Sequence, residues 1–151
     1  MDKPALKHGE RLERPLVTFM ILGYRQEQFI REAIEGAFAQ TYSPLEIILS
    51  DDCSPDRTFA IMQEMAAAYR GPHQLILNQP PHNLGLSAHL DNAVKLAQGE
   101  WLVIAAGDDI SLPDRVENHM RLAKKHPQAC STFLAPIILG DTRSNDSVSK
   151  I

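Results

Sequence analysis

The sequence predicts an α/β domain, a mainly parallel sheet with helices on both faces, and three observations carry that prediction. Four short apolar runs rich in β-branched and aromatic residues, at 15–22, 45–50, 74–77 and 101–106, read as buried strands. Segments whose apolar residues recur at helical spacing separate them, an alternation that implies right-handed crossovers. Finally, three polar clusters fall where strands end: Gly23-Tyr24-Arg25, Asp51-Asp52 and Asp108-Asp109. In open parallel sheets that is where ligands bind.

Each element has its own signature. PLVTFMIL ends at Gly23, and Phe29, Ile30, Ala33, Ile34, Ala37 and Phe38 then draw one stripe on a helix that stops before TYSP. LEIILS is the second strand. Ser54 followed by Pro55 reads as an N-cap with proline at the first helical position, and Phe59, Met62, Met65, Ala66 and Tyr69 give that helix its buried face up to Gly71-Pro72. QLIL forms the third strand, and the turn-rich NQPPHNLG leads to a helix with Leu86, Leu90, Ala93, Val94 and Ala97 on one side and Gly99 just past its end. WLVIAA is the fourth strand. Ser111-Leu112-Pro113-Asp114 has the S-x-x-D form of a helix start, with Val116, His119, Met120 and Ala123 as the face before Pro127. STFLAPIIL reads as a fifth strand at an edge or bulge because of Pro136, and its apolar residues Phe133 to Leu139 are expected to drive self-association if uncovered.

A length of 151 residues suits one domain with a real core. The organisation expected is a polar lead-in at 1–14, one domain at 15–140 and a loop-like tail at 141–151. A formal charge of -4 offers no basic surface, which argues against nucleic acid as a partner. Cys53 and Cys130 have no metal-ligand spacing, the N-terminus has no apolar run, and no apolar stretch approaches the ~20 residues that span a bilayer. A cytoplasmic protein, at most peripheral to a membrane, is the expectation.

The acids pose the chemical question. Adjacent carboxylates at the mouth of a strand repel and are costly to desolvate, so Asp108 and Asp109 call for a compensating cation or donor. With strand order 3-2-1-4, Tyr24 would lie between the two acidic pairs. One pair could then hold Mg²⁺ or Mn²⁺, which needs only one or two protein carboxylates, and the other could accept hydrogen bonds from a base or ribose. Against this stand plainer readings: Asp52 or Asp108 as a cap, and Tyr24 as packing. Other site motifs fail on their own terms, since the first strand is followed by a single glycine, GLSA lacks the second glycine of a nucleophile elbow, and the six histidines form no H-E-x-x-H.

Several blocks in order, the aromatic after the first strand, QTY, DDCSPD, the NLG turn and GEWL before AAGDD, make residues 15–135 resemble the N-terminal nucleotide-binding half of family 2 glycosyltransferases, inverting enzymes of the Rossmann-like GT-A fold. The resemblance implies a nucleotide diphosphate sugar as donor, of the UDP or dTDP type, and an acceptor it does not identify. It implies that Asp52 meets the base, that Leu22 and Tyr24 line the nucleotide pocket, and that Asp108 and Asp109 hold ribose, diphosphate and a divalent Mn²⁺ or Mg²⁺. The positive visitor is then a metal ion carrying a diphosphate. Two departures are visible: the D-x-D position reads Ala106-Gly107-Asp108, and the catalytic base belongs to a segment C-terminal to Ile151, so the C-terminal half is expected to be missing. A second reading is therefore a non-catalytic nucleotide-sugar-binding or interaction module that keeps the fold.

Overall fold

In a computed structural model, which describes residues 14–128, four strands form one parallel sheet in the order β3-β2-β1-β4. These are β1 (Val17–Gly23), β2 (Leu45–Asp51), β3 (Gln74–Asn78) and β4 (Trp101–Ala106), alternating with α1 (Ile30–Phe38), α2 (Thr58–Ala68), α3 (Leu86–Val94) and α4 (Arg115–Lys125). The predicted α/β class holds, and the order supposed for the sheet is the one observed. The chain divides into a unit ending at Asn118 and a second beginning at His119. Everything described below lies in the first. The predicted fifth strand, the apolar residues Phe133 to Leu139 and Cys130 lie outside the described residues.

Strand alternation divides the core in two. Phe19, Ile21, Ile47 and Leu49 are fully buried on the sheet face that α1 and α2 cover. On the other face Met20 and Ile48 pack with Ala93 of α3, and Leu22, Ile76, Leu90, Val94 and Ala97 gather around them. The register sets Met20 beside Ile104 and Thr18 beside Leu102. Leu102 and Ile104 nonetheless remain 39% and 43% exposed, so α3 shields β1 to β3 but leaves β4 open.

Local signals erred where side chains found partners off their own helix. Ser54 does not cap α2: its N–H and Oγ–H both donate to Asp51 (2.8 and 2.5 Å), which with Cys53 at φ 56° makes a turn. The helix begins at Thr58, after Asp56 has accepted from Thr58 N and Oγ (2.9 and 2.6 Å). Its buried face uses Thr58 and Ile61 with Met62 and Met65, and Phe59 is only half-buried. Ser111 does not start α4 either, because it is buried against α1, where Gly36 comes so close that a Cβ would stand 2.7 Å from Ser111 O. Phe29 and Leu86 lie at helix starts and are exposed, outside the apolar stripes predicted for them. Helix α3 stops at Val94 and a turn carries the chain to Gly99. There a Cβ would meet Thr18 N at 2.5 Å, so glycine serves close approach to β1 rather than a cap. Among the described residues no helix is long and apolar enough to cross a membrane.

Candidate functional site

The site is built outward from the end of β1. Gly23 O accepts from Asp52 N and Leu22 O from Gly107 N, both at 2.9 Å, so the central strand continues its pairing on both sides after the strands themselves have ended. These two bonds draw the loops after β1, β2 and β4 to one edge of the sheet. Leu22, Tyr24, Asp52, Asp108 and Asp109 are all carried on that edge, as the strand order predicted.

The two acidic pairs have opposite electrostatic fates. Asp51 is fully buried and accepts from Ser54 N, Ser54 Oγ and Gln79 Nε2 (2.9 Å for the last). Asp52 is 3% exposed, and its carboxylate receives Leu84 N on Oδ1 (2.8 Å) and Gly85 N and Asn83 Nδ2 on Oδ2 (2.9 Å each). Neutral donors, not a cation, thus compensate this pair. Hydrogen bonds from these donors repay part of the cost of taking the carboxylate oxygens out of water. A carboxylate offers about four acceptor sites, so Asp52 retains about one for a ligand.

Asp108 and Asp109 are exposed instead. Asp109 Oδ2 accepts from Ala106 N (3.1 Å), and the Asp108 carboxylate has no hydrogen-bond or ion-pair partner among the described residues. Arg115 is the nearby cation. It donates to Ile104 O (2.9 Å) and Ser111 Oγ (2.8 Å), and its Cζ sits 5.6 Å from the centre of the Phe19 ring. Burial lowers its affinity for the proton, and the Asp109 carboxylate opposes that shift. Among the described residues no three His, Cys, Asp or Glu side chains cluster as ligands. Two adjacent, solvent-facing carboxylates nevertheless match what Mg²⁺ or Mn²⁺ asks of a protein when water and phosphate complete the shell.

Tyr24 is 41% exposed, with the Arg25 guanidinium 5.3 Å from its ring centre, so it is a surface platform rather than a core residue. Arg25 adopts φ 54° and its N–H donates to Ser54 Oγ (2.9 Å), which ties the first loop to the second. Gln26 N donates to Thr58 Oγ (2.8 Å), and Glu27 N and Oε2 bond to Asp56 Oδ2 and Arg57 N. Burial would raise the Asp56 carboxyl, but the hydrogen bonds from Thr58 and Glu27 outweigh it and hold the group below its ordinary value.

Several supporting residues had no predicted role. Gln40 donates to Gly36 O and Leu112 O and accepts from Val116 N, while Thr41 N donates to Pro113 O, so QTY clamps the loop that follows Asp109. Asn83, Leu84 and Gly85, the NLG turn, are the hand that grips Asp52. Both motifs were visible as blocks. What they hold across the fold is 72 to 76 or 31 to 33 positions away, and spacing does not reveal it.

Comparison with known proteins agrees with this geometry. The family model described as glycosyl transferase family 2 matches residues 18–150. The uncharacterised protein Rv1520 of Mycobacterium tuberculosis is 32% identical over 87% of this chain and 38% of its own length. Putative glycosyltransferase EpsE of Bacillus subtilis is 35% identical over 74% of this chain and 40% of its own. The chain thus spans well under half the length of these relatives. Among solved structures, a mannosyltransferase from Pyrobaculum calidifontis, in complex with GDP-Man and Mn²⁺, superposes with a TM-score of 0.68 at 25% identity, over 74% of this chain and 33% of that one. Staphylococcus aureus TarS shares the fold at a TM-score of 0.64 and 22% identity, over 74% of this chain and 33% of its own.

Proposed function

The chain belongs to glycosyl transferase family 2, and from that premise we propose that it forms the donor-binding half of a metal-assisted, inverting transfer of sugar from a nucleotide diphosphate sugar. The observation that carries this reading is the convergence of Tyr24, Asp52 and the Asp108-Asp109 pair on the edge where β1 bonds to the loops on both sides. Asp52 presents its one spare acceptor to a base N–H, from a setting rigid enough to discriminate. Leu22 and Tyr24 line the nucleotide pocket, Leu22 half-buried and Tyr24 open to a planar ligand. Asp108 and Asp109 take the ribose, the diphosphate and its ion.

Mn²⁺ or Mg²⁺ bound there supplies Lewis-acid stabilisation of the charge that builds on the departing nucleoside diphosphate. The chain's own part would be to hold the ion, and through it the diphosphate, with the exposed carboxylates of Asp108 and Asp109. The P. calidifontis neighbour, with GDP-Man and Mn²⁺ bound, supports the donor class and the ion. The base that deprotonates the acceptor hydroxyl is assigned to none of residues 14–128. Calorimetric titration with UDP, dTDP and GDP, with and without Mn²⁺, tests the proposal. Metal-dependent binding that is lost in Asp108→Ala and in Asp109→Ala is the expected result, and no binding of any of the three refutes it.

A further inference from the structure

Beneath Asp52 lies a buried polar chain that the donor site as described does not use. His89, on the first turn of α3, is 2% exposed, and its Nε2 stands 2.6 Å from Oγ of the fully buried Ser50 on β2. Asn78 Nδ2 donates to the same Oγ (2.9 Å) and to Asn92 Oδ1 (2.9 Å), so side chains tie α3 to both β2 and β3, which are themselves paired at Ser50 and Asn78. Ser50 and His89 are buried and Asn78 and Asn92 half-buried, and buried polar groups are costly unless each is satisfied. The hydrogen-bond arithmetic selects one arrangement. Ser50 Oγ has one proton to give, it already accepts from Asn78, and Nε2 is the one acceptor among its partners. Ser50 therefore donates to a neutral His89 whose proton is on Nδ1.

This chain ends on the residue that matters. His89 N donates to Gly85 O (2.8 Å), fixing the φ 79° turn at Gly85, and that turn aims Leu84 N and Gly85 N at the Asp52 carboxylate. Ser50 is two residues before Asp52 on the same strand end. His89 thus grips both sides of the bond set that orients Asp52, the loop that donates and the strand that accepts.

We propose that His89 is a positioning residue for donor binding: neutral and locked to Ser50, it holds the 83–85 loop on Asp52 and so keeps that carboxylate in register with the nucleotide base. The assignment rests on the donor-site reading above. Protonated His89 must donate from Nε2, which Ser50 Oγ can accept on its second lone pair, but the hydroxyl proton is then buried without an acceptor, so the lock weakens in acid. The charged groups acting on the ring are the carboxylates of Asp52, just past the end of β2, and of Asp51, its last residue. Burial holds the imidazole below its ordinary value, and the attraction of Asp52 and Asp51 for its charge only partly offsets this. Asp91, on the same helix, is exposed and paired with Lys95.

The test is calorimetric titration of the chain with UDP and Mn²⁺ between pH 7.5 and 5 (values about the ordinary His pKa of ~6.5), on the wild type and on His89→Gln, His89→Leu and Ser50→Ala. Gln keeps an acceptor for the Ser50 proton and cannot be protonated, so it should bind within about twofold of wild type at neutral pH. Leu should weaken binding about tenfold at every pH, and Ser50→Ala, which removes the lock without touching the helix, should do the same should His89→Leu fail to fold. The nucleotide's own phosphate titrates alike in all four proteins, so the readout is the difference between curves. Wild-type affinity should fall further in acid than that of His89→Gln. Parallel pH curves for those two, or wild-type affinity in Ser50→Ala, overturn the assignment while leaving the donor site standing. A wild type that binds no nucleotide diphosphate overturns both.

Discussion

Replacing Gln40 by leucine tests how the fold holds the acidic loop. The amide is 4% exposed and its three bonds, to Gly36 O (2.9 Å), Leu112 O (2.7 Å) and from Val116 N (3.0 Å), span α1 and the segment that follows Asp109. Leucine fills most of the space but leaves Val116 N buried without an acceptor, at about 1–3 kcal/mol, and forfeits two part-buried bonds at about 0.5–1.5 kcal/mol each. The expected loss is about 2–6 kcal/mol, a large part of the about 5–15 kcal/mol available to a domain. Urea unfolding followed by circular dichroism measures it. Gln40→Glu sharpens the test, because a carboxylate oxygen would face two carbonyl oxygens. Its folded-state pKa is then raised, so stability should be present below the unfolded value of ~4.3 and lost as pH rises through the folded one. A Gln40→Leu protein within about 0.5 kcal/mol of wild type would refute the clamp.

Asp52→Asn keeps the shape but turns an NH₂ toward at least one of the three donors that grip the carboxylate, so it should cost about 1–3 kcal/mol in unfolding free energy and weaken UDP binding at least tenfold in calorimetry. Asp108→Ala, at an exposed site, should leave the unfolding midpoint within about 0.5 kcal/mol of wild type, a stability cost to set beside its loss of metal-dependent nucleotide affinity. Gly99→Ala places a Cβ 2.5 Å from Thr18 N and 2.9 Å from Val17 C, backbone atoms that cannot swing aside, and should destabilise by about 1–3 kcal/mol or more by thermal melting, with little change in nucleotide affinity once folded. Since His89's folded pKa lies below its unfolded value of 6.5, its contribution to stability is present above pH 6.5 and is lost as pH falls through the folded pKa. Melting curves of His89→Gln should therefore decline less in acid than those of wild type.

The sequence by itself determined the strands and which polar residues stand at their ends. Buried parallel strands announce themselves as apolar runs, and the right-handed crossover leaves few ways to arrange them, so Tyr24, Asp52, Asp108 and Asp109 could be placed together before any coordinates. Tertiary structure decided the setting of each acid. Asp51-Asp52 and Asp108-Asp109 look alike as dipeptides, yet the first pair is buried and gripped by Ser54, Gln79 and the NLG turn, and the second stands open to solvent. Helix starts erred for the same reason: Ser54 and Ser111 have the right neighbours for caps, but Asp51 claimed one and the close approach of Gly36 buried the other. A cap is a bond within about four residues, and local sequence predicts it only where nothing distant competes. The His89–Ser50 pair, 39 positions apart, was hidden in the same way: a histidine among helix residues shows its partner only when the strand beneath it is in place.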